Sequence, residues 1–294
     1  TPGNSEVPST QINTDPITVS PTVKPFKNKH VDVKDTIQDF QETAMGLKDN
    51  WAELFKEIRA EVYNDKYNGN LDAYLSGDGQ WVAKMLGIDK YNTKSDILAF
   101  NDAGVSNGIK DSLRGIIDNL EDLENEYYFT YQIDKNTRTT VKETVLNFQA
   151  DKVLARQIQT AAGAKGSYDM GGSEFAFETQ TEMLNEAGFK APKGDEKSIK
   201  KAYENAVAII IGDGKPVNAD KPTKGEKIAL EIRDLIQDKV DMKTMSNRLN
   251  STKSPLNGKF GGKKTIKGMA LIDGFKTMKK TGGKETNYVP ESDA

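Results

Sequence analysis

The sequence has no cysteine and a single histidine, His30. Without cysteine the chain cannot form disulfides, thiolate zinc sites or a cysteine nucleophile, and one imidazole cannot build a histidine metal cluster. Long apolar runs are missing as well, because the longest, Ala206–Ile211, is far shorter than the about 20 residues that span a bilayer. The sequence therefore predicts no membrane-spanning segment, and any chemistry must use carboxylate, lysine, arginine, tyrosine or hydroxyl groups.

Charge is abundant but nearly balanced, and the net charge is −3. That sum implies no general affinity for nucleic acid, but the distribution is uneven. Between Lys253 and Lys284 there are nine lysines and one acid, Asp273. This segment can be a solvated loop and helix face, or a surface that contacts phosphates. Lysine without interleaved arginine favours contact with the nucleic-acid backbone over base reading. The candidate phosphate-binding residues are Lys259, Lys263, Lys264 and Lys267.

The first half of the chain predicts a tail and long helices. Residues 1–30 hold five of the ten prolines and no apolar period, which predicts a disordered or extended tail or linker. From about 33 to 63, apolar residues recur at steps of three and four, which predicts one long amphipathic helix. A shorter helix over about 71–86 ends at Gly87, and a second long helix covers about 109–126. We expect the two long helices to form the arms of an antiparallel hairpin.

The second half predicts a β-hairpin and further helices. The aromatic and β-branched run Tyr127–Ile133 predicts a strand, followed by a turn and a returning strand over Thr139–Val145. A last strand is expected to begin at Tyr288. Apolar spacing predicts helices near 148–162, 173–187, 195–210, 224–248 and 266–280. The predicted fold class is mainly α with a small antiparallel β element (α+β), in which long amphipathic helices precede the hairpin and the other helices.

The hairpin segment carries the most specific pattern of the chain. The aromatic strand leads into the turn Asp134–Thr137 and Arg138, and Asn147-Phe148-Gln149 follow. This order resembles the single-subunit RNA polymerases of phages and mitochondria, in which an aromatic strand leads into a [Thr/Asp]-x-x-Gly-Arg turn and an Asn-Pro-Gln-like segment. It is most similar to the large RNA polymerases that schitovirus-type phages package in the virion.

The end of the sequence extends this resemblance. The predicted helix 266–280 and the following Thr286–Ala294 resemble the approach to the family's first catalytic palm motif, in which a strand delivers an aspartate to the active-site metals. The resemblance covers about 100–294. Two residues depart from the family pattern, since Thr137 stands where the family has Gly and Phe148 stands where it often has Pro.

The resemblance implies two catalytic residues. Arg138 matches the arginine that contacts the template or hybrid backbone, and a planar guanidinium can bind a phosphate in two places. Asp293 matches the first metal-ligating aspartate of a nucleotidyl transfer site with two Mg²⁺ ions, which prefer hard oxygen ligands. The family's later Arg-Lys and His-Asp motifs are not found, since His30 is followed by Val31. One carboxylate cannot hold both ions, so this chain should not polymerise nucleotides alone.

The function implied by the resemblance is a portion of a DNA-dependent RNA polymerase that is carried in a phage virion and delivered to the host cytoplasm. Its partners would be a DNA template and nucleoside triphosphates, and its cofactor Mg²⁺. The resemblance divides the chain into the tail 1–30, a thumb-like helical region 31–126 and a palm-entry region 127–294. If it holds, we expect Arg138 and Asp293 to face one shared cleft.

Two alternatives belong to other functional classes. The chain can be a helical structural or ejected virion protein that packs against other virion proteins through its amphipathic faces and does no chemistry. It can also be a nucleic-acid-coating protein that binds through residues 253–284. The net acidity and the scarcity of arginine count against the coating protein.

Overall fold

Helices make up most of the structure, a computed structural model that describes residues 7–12, 14, 18–19, 37–89, 100–133, 139–149, 151, 154–161 and 167–289. In chain order the helices are α1 (Asp49–Val62), α2 (Leu71–Ser76), α3 (Gln80–Leu86), α4 (Phe100–Asp118), α5 (Leu120–Leu123), α6 (Ala155–Ile158), α7 (Ser173–Glu186), α8 (Glu196–Ile211), α9 (Lys224–Leu235), α10 (Met242–Asn250), α11 (Asn257–Phe260) and α12 (Thr265–Lys280). A 3-10 helix, Gly262–Lys264, lies between α11 and α12.

The strands are short and account for a small part of the chain. They are β1 (Thr18–Val19), β2 (Met45–Leu47), β3 (Tyr131–Ile133), β4 (Thr139–Val141), β5 (Gln159–Ala161), β6 (Tyr168–Asp169) and β7 (Glu285–Thr286). β3 pairs antiparallel with β4 and parallel with β1, while β2 pairs antiparallel with β5 and β6 with β7. The predicted fold class, mainly α with a small antiparallel β element, is confirmed.

The chain divides into two compact units. The first contains the described residues of 1–77 and 93–166, and the second those of 78–92 and 167–294. The boundary expected between 126 and 127 falls inside the first unit. Within the predicted tail, the described segments pair with that unit, since Ser9 bridges Tyr128 and β1 extends the sheet of β3 and β4.

In the first unit, α1 packs against α4 and α5. Tyr63, after the end of α1, donates its hydroxyl to Asp118 at the end of α4, and Lys56 in the middle of α1 pairs with Glu124 beyond α5 at 3.4 Å. The apolar faces form the core because burying them removes hydrocarbon from water. Fully buried side chains of this core include Trp51, Phe55, Ile58, Leu113, Ile116 and Ile117.

The single long helix predicted over about 33–63 is wrong. Residues 37–41 are helical, but Met45–Leu47 forms β2, and α1 begins only at Asp49. The backbone of β2 bonds to β5, which lies more than a hundred residues further along the chain. Tertiary pairing therefore overrides the local helical period of the apolar residues.

The pairing of β2 with β5 also shortens a second predicted helix. The helix predicted over about 148–162 is reduced to the short α6, because Gln159–Ala161 extends into β5 opposite β2. The returning strand predicted over Thr139–Val145 ends at Val141.

In the second unit, α12 lies at the centre and packs against α3, α8 and α10. Its buried residues include Ile266, Met269, Leu271, Ile272, Phe275 and Met278. The predicted helices 173–187, 195–210 and 266–280 are confirmed as α7, α8 and α12. The helix predicted over about 71–86 is divided into α2 and α3, and Gly87 ends α3 with a φ of 70° that favours glycine.

Two predictions for the second unit are wrong. The helix predicted over 224–248 is interrupted, because α9 ends at Leu235 and the side chain of Asp241 accepts the Thr244 N–H at 2.6 Å to begin α10. No strand begins at Tyr288, whose side chain is buried beyond β7, and residues 290–294 of the expected strand lie outside the described residues.

Candidate nucleic-acid interface

The β3–β4 hairpin is the first part of the candidate site. Its strands pair in the register Tyr131 to Val141, Gln132 to Thr140 and Ile133 to Thr139. Arg138, the predicted phosphate-binding residue, immediately precedes β4 but lies outside the described residues. The described part of the hairpin is therefore its two paired strands, which we call its base.

Polar side chains hold this base from both edges. Both oxygens of the buried Glu143 accept the Thr130 N–H, at 2.9 and 3.0 Å. On the other edge, Gln149 accepts the Val141 N–H at 2.9 Å and donates to the Thr139 carbonyl at 3.2 Å. Gln149 therefore takes the place of a further strand beside β4. The sequence pattern had marked Gln149 only through a family resemblance, and its bonds to β4 supply the physical role.

Burial also shifts proton affinities at the base of the hairpin. Desolvation raises the pKa of the Glu143 carboxyl, and the hydrogen bonds from Thr130 oppose that shift. Burial raises the pKa of Tyr131 to about 12, and the nearby charge of Glu143 adds to the increase. A buried carboxylate that accepts backbone hydrogen bonds acts here as a brace of the fold.

The lysine-rich segment is the second part of the candidate site and lies in the second unit. Lys259 is on α11, and Lys263 and Lys264 are on the 3-10 helix; all three are exposed. We call these three residues the lysine turn. Within the described part of the chain, none of them has a carboxylate partner within 4 Å. Their ammonium groups are therefore available to an external anion.

The backbone beneath the lysine turn is fixed by hydrogen bonds. The Asn250 side chain accepts the Gly262 N–H at 2.8 Å and donates to the Thr265 hydroxyl at 2.9 Å. The Thr265 hydroxyl in turn donates to the Gly262 carbonyl at 2.7 Å. Gly87 also lies directly against this turn, since a Cβ on it would be 2.5 Å from the Lys263 N. The long side chains thus project from a backbone that is held in place.

Lys267, the fourth predicted phosphate-binding lysine, has a different environment. It lies in the first turn of α12, is only 19% exposed, and its Nζ is 3.2 Å from the Glu186 carboxylate. The same carboxylate accepts the Tyr288 hydroxyl at 2.5 Å. Lys267 therefore helps to hold the segment that leads toward Asp293, which itself lies outside the described residues.

Neither a metal-binding cluster nor a membrane-spanning helix lies in the part of the chain that the structure describes. There, no group of three or more His, Asp and Glu side chains could hold a metal ion, and the helices are too short or too polar to cross a bilayer. Asp293 and His30 lie outside that part.

No family model, no curated protein and no solved structure matches this chain.

Proposed function

We propose that this chain is a nucleic-acid-binding portion of a virion-packaged, DNA-dependent RNA polymerase, and that it does not polymerise nucleotides on its own. The observation that carries the proposal is the lysine turn, in which three exposed lysines without a described carboxylate partner project from a hydrogen-bonded backbone. Each lysine that neutralises a phosphate releases counterions, which favours binding at low salt and carries no sequence information.

The polymerase assignment rests on the resemblance of the hairpin and of the segment before Asp293. The braces around β3 and β4 support it, because a turn that grips a backbone phosphate needs a rigid base. In this proposal Arg138 binds the template or hybrid backbone through its guanidinium. The lysine turn binds the backbone through separate point charges.

Mg²⁺ belongs to the proposal only through residues that the described structure does not supply. When bound, the two ions would activate the 3′-hydroxyl and stabilise the leaving pyrophosphate. Asp293 would contribute one carboxylate to them. What this chain's own residues do is bind and orient the nucleic-acid backbone, and the proposed setting is the virion and then the host cytoplasm.

A salt titration of DNA binding tests the proposal. Fluorescence anisotropy of a labelled duplex would give the association constant of the chain from 50 to 200 mM KCl. Over this roughly fourfold range of salt concentration, binding through phosphate contacts loses much of its affinity. Each lost contact reduces the slope of log K against log salt by about 0.9 for duplex DNA, so the triple variant Lys259→Ala/Lys263→Ala/Lys264→Ala should lose up to about 2.7.

The control removes two exposed lysines, against three in the triple variant, from another helix of the second unit. Lys197→Ala/Lys201→Ala on α8 leaves the lysine turn intact, so it should leave the slope unchanged. If the lysine turn variant has the slope of the unmodified chain, the proposed function is wrong. If the unmodified chain does not bind DNA at any salt concentration, the helical structural or ejected virion protein becomes the better interpretation.

The nucleic-acid-coating protein is the second candidate, because the lysine turn favours it equally. Arg138→Ala separates the two. A polymerase portion that grips the backbone with its guanidinium should lose affinity and about one phosphate contact from the salt slope. DNA binding that depends on the lysine turn and is unaffected by Arg138→Ala would identify the coating protein.

A further inference from the structure

We infer that the phosphate-binding surface of the second unit continues from the lysine turn across α3 to α10, so that Lys84 and Lys243 bind the same nucleic-acid backbone. This inference rests on the proposed function and extends its site to two residues far away in the sequence. We call Lys243, Lys84, Lys263 and Lys264 the lysine row.

The contact between α3 and the 3-10 helix joins the two halves of the row. Gly87 lies against the Lys263 backbone, and Lys84 precedes it by one helical turn. Residues three apart on a helix are surface neighbours, so the exposed Lys84 side chain lies beside the residue that contacts Lys263. The exposed face of α3 therefore leads directly onto the lysine turn.

Trp81 joins the other end of the row. It lies one helical turn before Lys84, and the Lys243 Nζ lies over its ring, 5.9 Å from the centroid. Lys243 is exposed and belongs to α10, which packs against α3. The path from Lys243 over Trp81 to Lys84 and Gly87 is therefore a continuous series of neighbours on one unit.

The indole ring of Trp81 supports the Lys243 end of the row. Trp81 is 8% exposed, and its Nε1–H is buried without an acceptor among the described residues.

The charges around the row leave it positive. The nearest acids along α3 and α10 are Asp78, Asp89 and Asp241, and the Asp241 carboxylate is already bound to the Thr244 N–H. The lysine row and Lys259 together outnumber these acids. The chemistry fits a phosphodiester backbone and not a base, because lysines are point charges and the buried Trp81 ring has no face for a base to stack on.

The test uses the double variant Lys84→Ala/Lys243→Ala in the same anisotropy titration. Loss of both contacts should reduce the salt slope by about 1.8 for duplex DNA, while Lys197→Ala/Lys201→Ala, which removes the same charge, should leave it unchanged. Two duplexes of unrelated sequence should give equal slopes. A slope unchanged by the double variant overturns the inference.

Tryptophan fluorescence gives a second readout that charge loss alone would not produce. In a Trp51→Phe background Trp81 is the only tryptophan, and its emission should change when duplex DNA binds. Lys243→Ala should abolish that change, and Lys197→Ala should not. Emission that does not respond to DNA overturns the assignment of Lys243 and Trp81 to the row.

The outcomes separate this inference from the proposed function. If the lysine turn variant lowers the slope and the Lys84/Lys243 variant does not, the function stands and the extension is wrong. If neither variant lowers it, both are wrong. If only Lys84/Lys243 lowers it, the surface is not continuous with the lysine turn, and both statements fail in their present form.

Discussion

Gly87→Ala should destabilise the second unit by an amount that the structure allows us to divide into two parts. Gly87 has a φ of 70°, a left-handed conformation that costs an L residue roughly 1–2 kcal/mol. A Cβ there would also lie 2.5 Å from the Lys263 N and 2.7 Å from the Lys263 Cβ. Relieving that overlap requires the lysine turn to move, and overpacking of this kind costs about 1–3 kcal/mol. The free energy of unfolding should therefore fall by about 2–5 kcal/mol.

A urea titration in the Trp51→Phe background measures this, because Trp81 on α3 then reports the unfolding of the second unit alone. Gly282→Ala is the matched control. Gly282 has a φ of 64°, but no atom lies within 4 Å of the position of its Cβ, so it should show only the conformational cost of roughly 1–2 kcal/mol. Equal losses in the two variants would refute the claim that close packing of Gly87 against Lys263 positions the lysine turn.

Three further predictions concern the hairpin base and the predicted lysines. Burial raises the pKa of the Glu143 carboxyl above the ordinary 4.5, so the free energy of unfolding falls as pH rises through the raised pKa. Glu143→Gln cannot ionise and does not show this fall. The free energy of unfolding of Glu143→Gln relative to the unmodified chain should therefore be higher at pH 7 than at pH 4 in urea titrations. Gln149→Ala removes the acceptor of the partly buried Val141 N–H of β4 and should cost about 0.5–1.5 kcal/mol in a urea titration followed by Trp51, the tryptophan of the first unit. Lys267→Ala should lower the free energy of unfolding by roughly 1–2 kcal/mol through loss of the Glu186 contact, and it should leave the salt slope of DNA binding unchanged. Lys264→Ala should have the opposite effects, lowering the salt slope by about 0.9 and changing the free energy of unfolding by less than about 0.5 kcal/mol.

Helices that are stabilised by local signals could be predicted from the sequence. α8 begins at Asp195, whose side chain accepts the Ser198 N–H at 2.9 Å, and it buries a stripe of apolar residues at helical spacing. α12 combines a long apolar stripe with flanking lysines. In both helices the information lies within a few residues of the element itself, because capping and amphipathic burial act over one or two turns.

Elements that depend on distant partners could not be predicted in this way. β2 exists because Met45–Leu47 pairs with β5, and nothing in the residues near Met45 marks that partner. Phe40 fits the apolar period of the predicted helix, but it is 57% exposed in the structure. A strand of three residues is too short to show a clear alternation of apolar and polar residues. The helical spacing of the neighbouring apolar residues therefore dominates the prediction for this segment.

The candidate site likewise contains some residues that the sequence predicts and others that only the fold brings together. The lysines of the lysine turn are adjacent in sequence and were found by counting charge. Lys84 and Lys243 are separated from them in sequence, and only the packing of α3 against α10 and Lys263 brings them to the same surface. The role of Gln149 likewise depends on its bonds to β4, and composition contains no record of them.

A count of charge along residues 253–284 treats its nine lysines alike, but folding distinguishes them. The Lys267 ammonium already holds the Glu186 carboxylate, so a phosphate would have to displace an internal partner before binding there. Lys263 and Lys264 have no carboxylate partner within the described part of the chain, so counterion release is the favourable term at their positions. Lys84 and Lys243 lie outside the segment yet belong to its surface. The electrostatic footprint of this protein is therefore a property of the contacts among α3, α10 and the lysine turn, and the charge surplus of the segment is only one contribution to it.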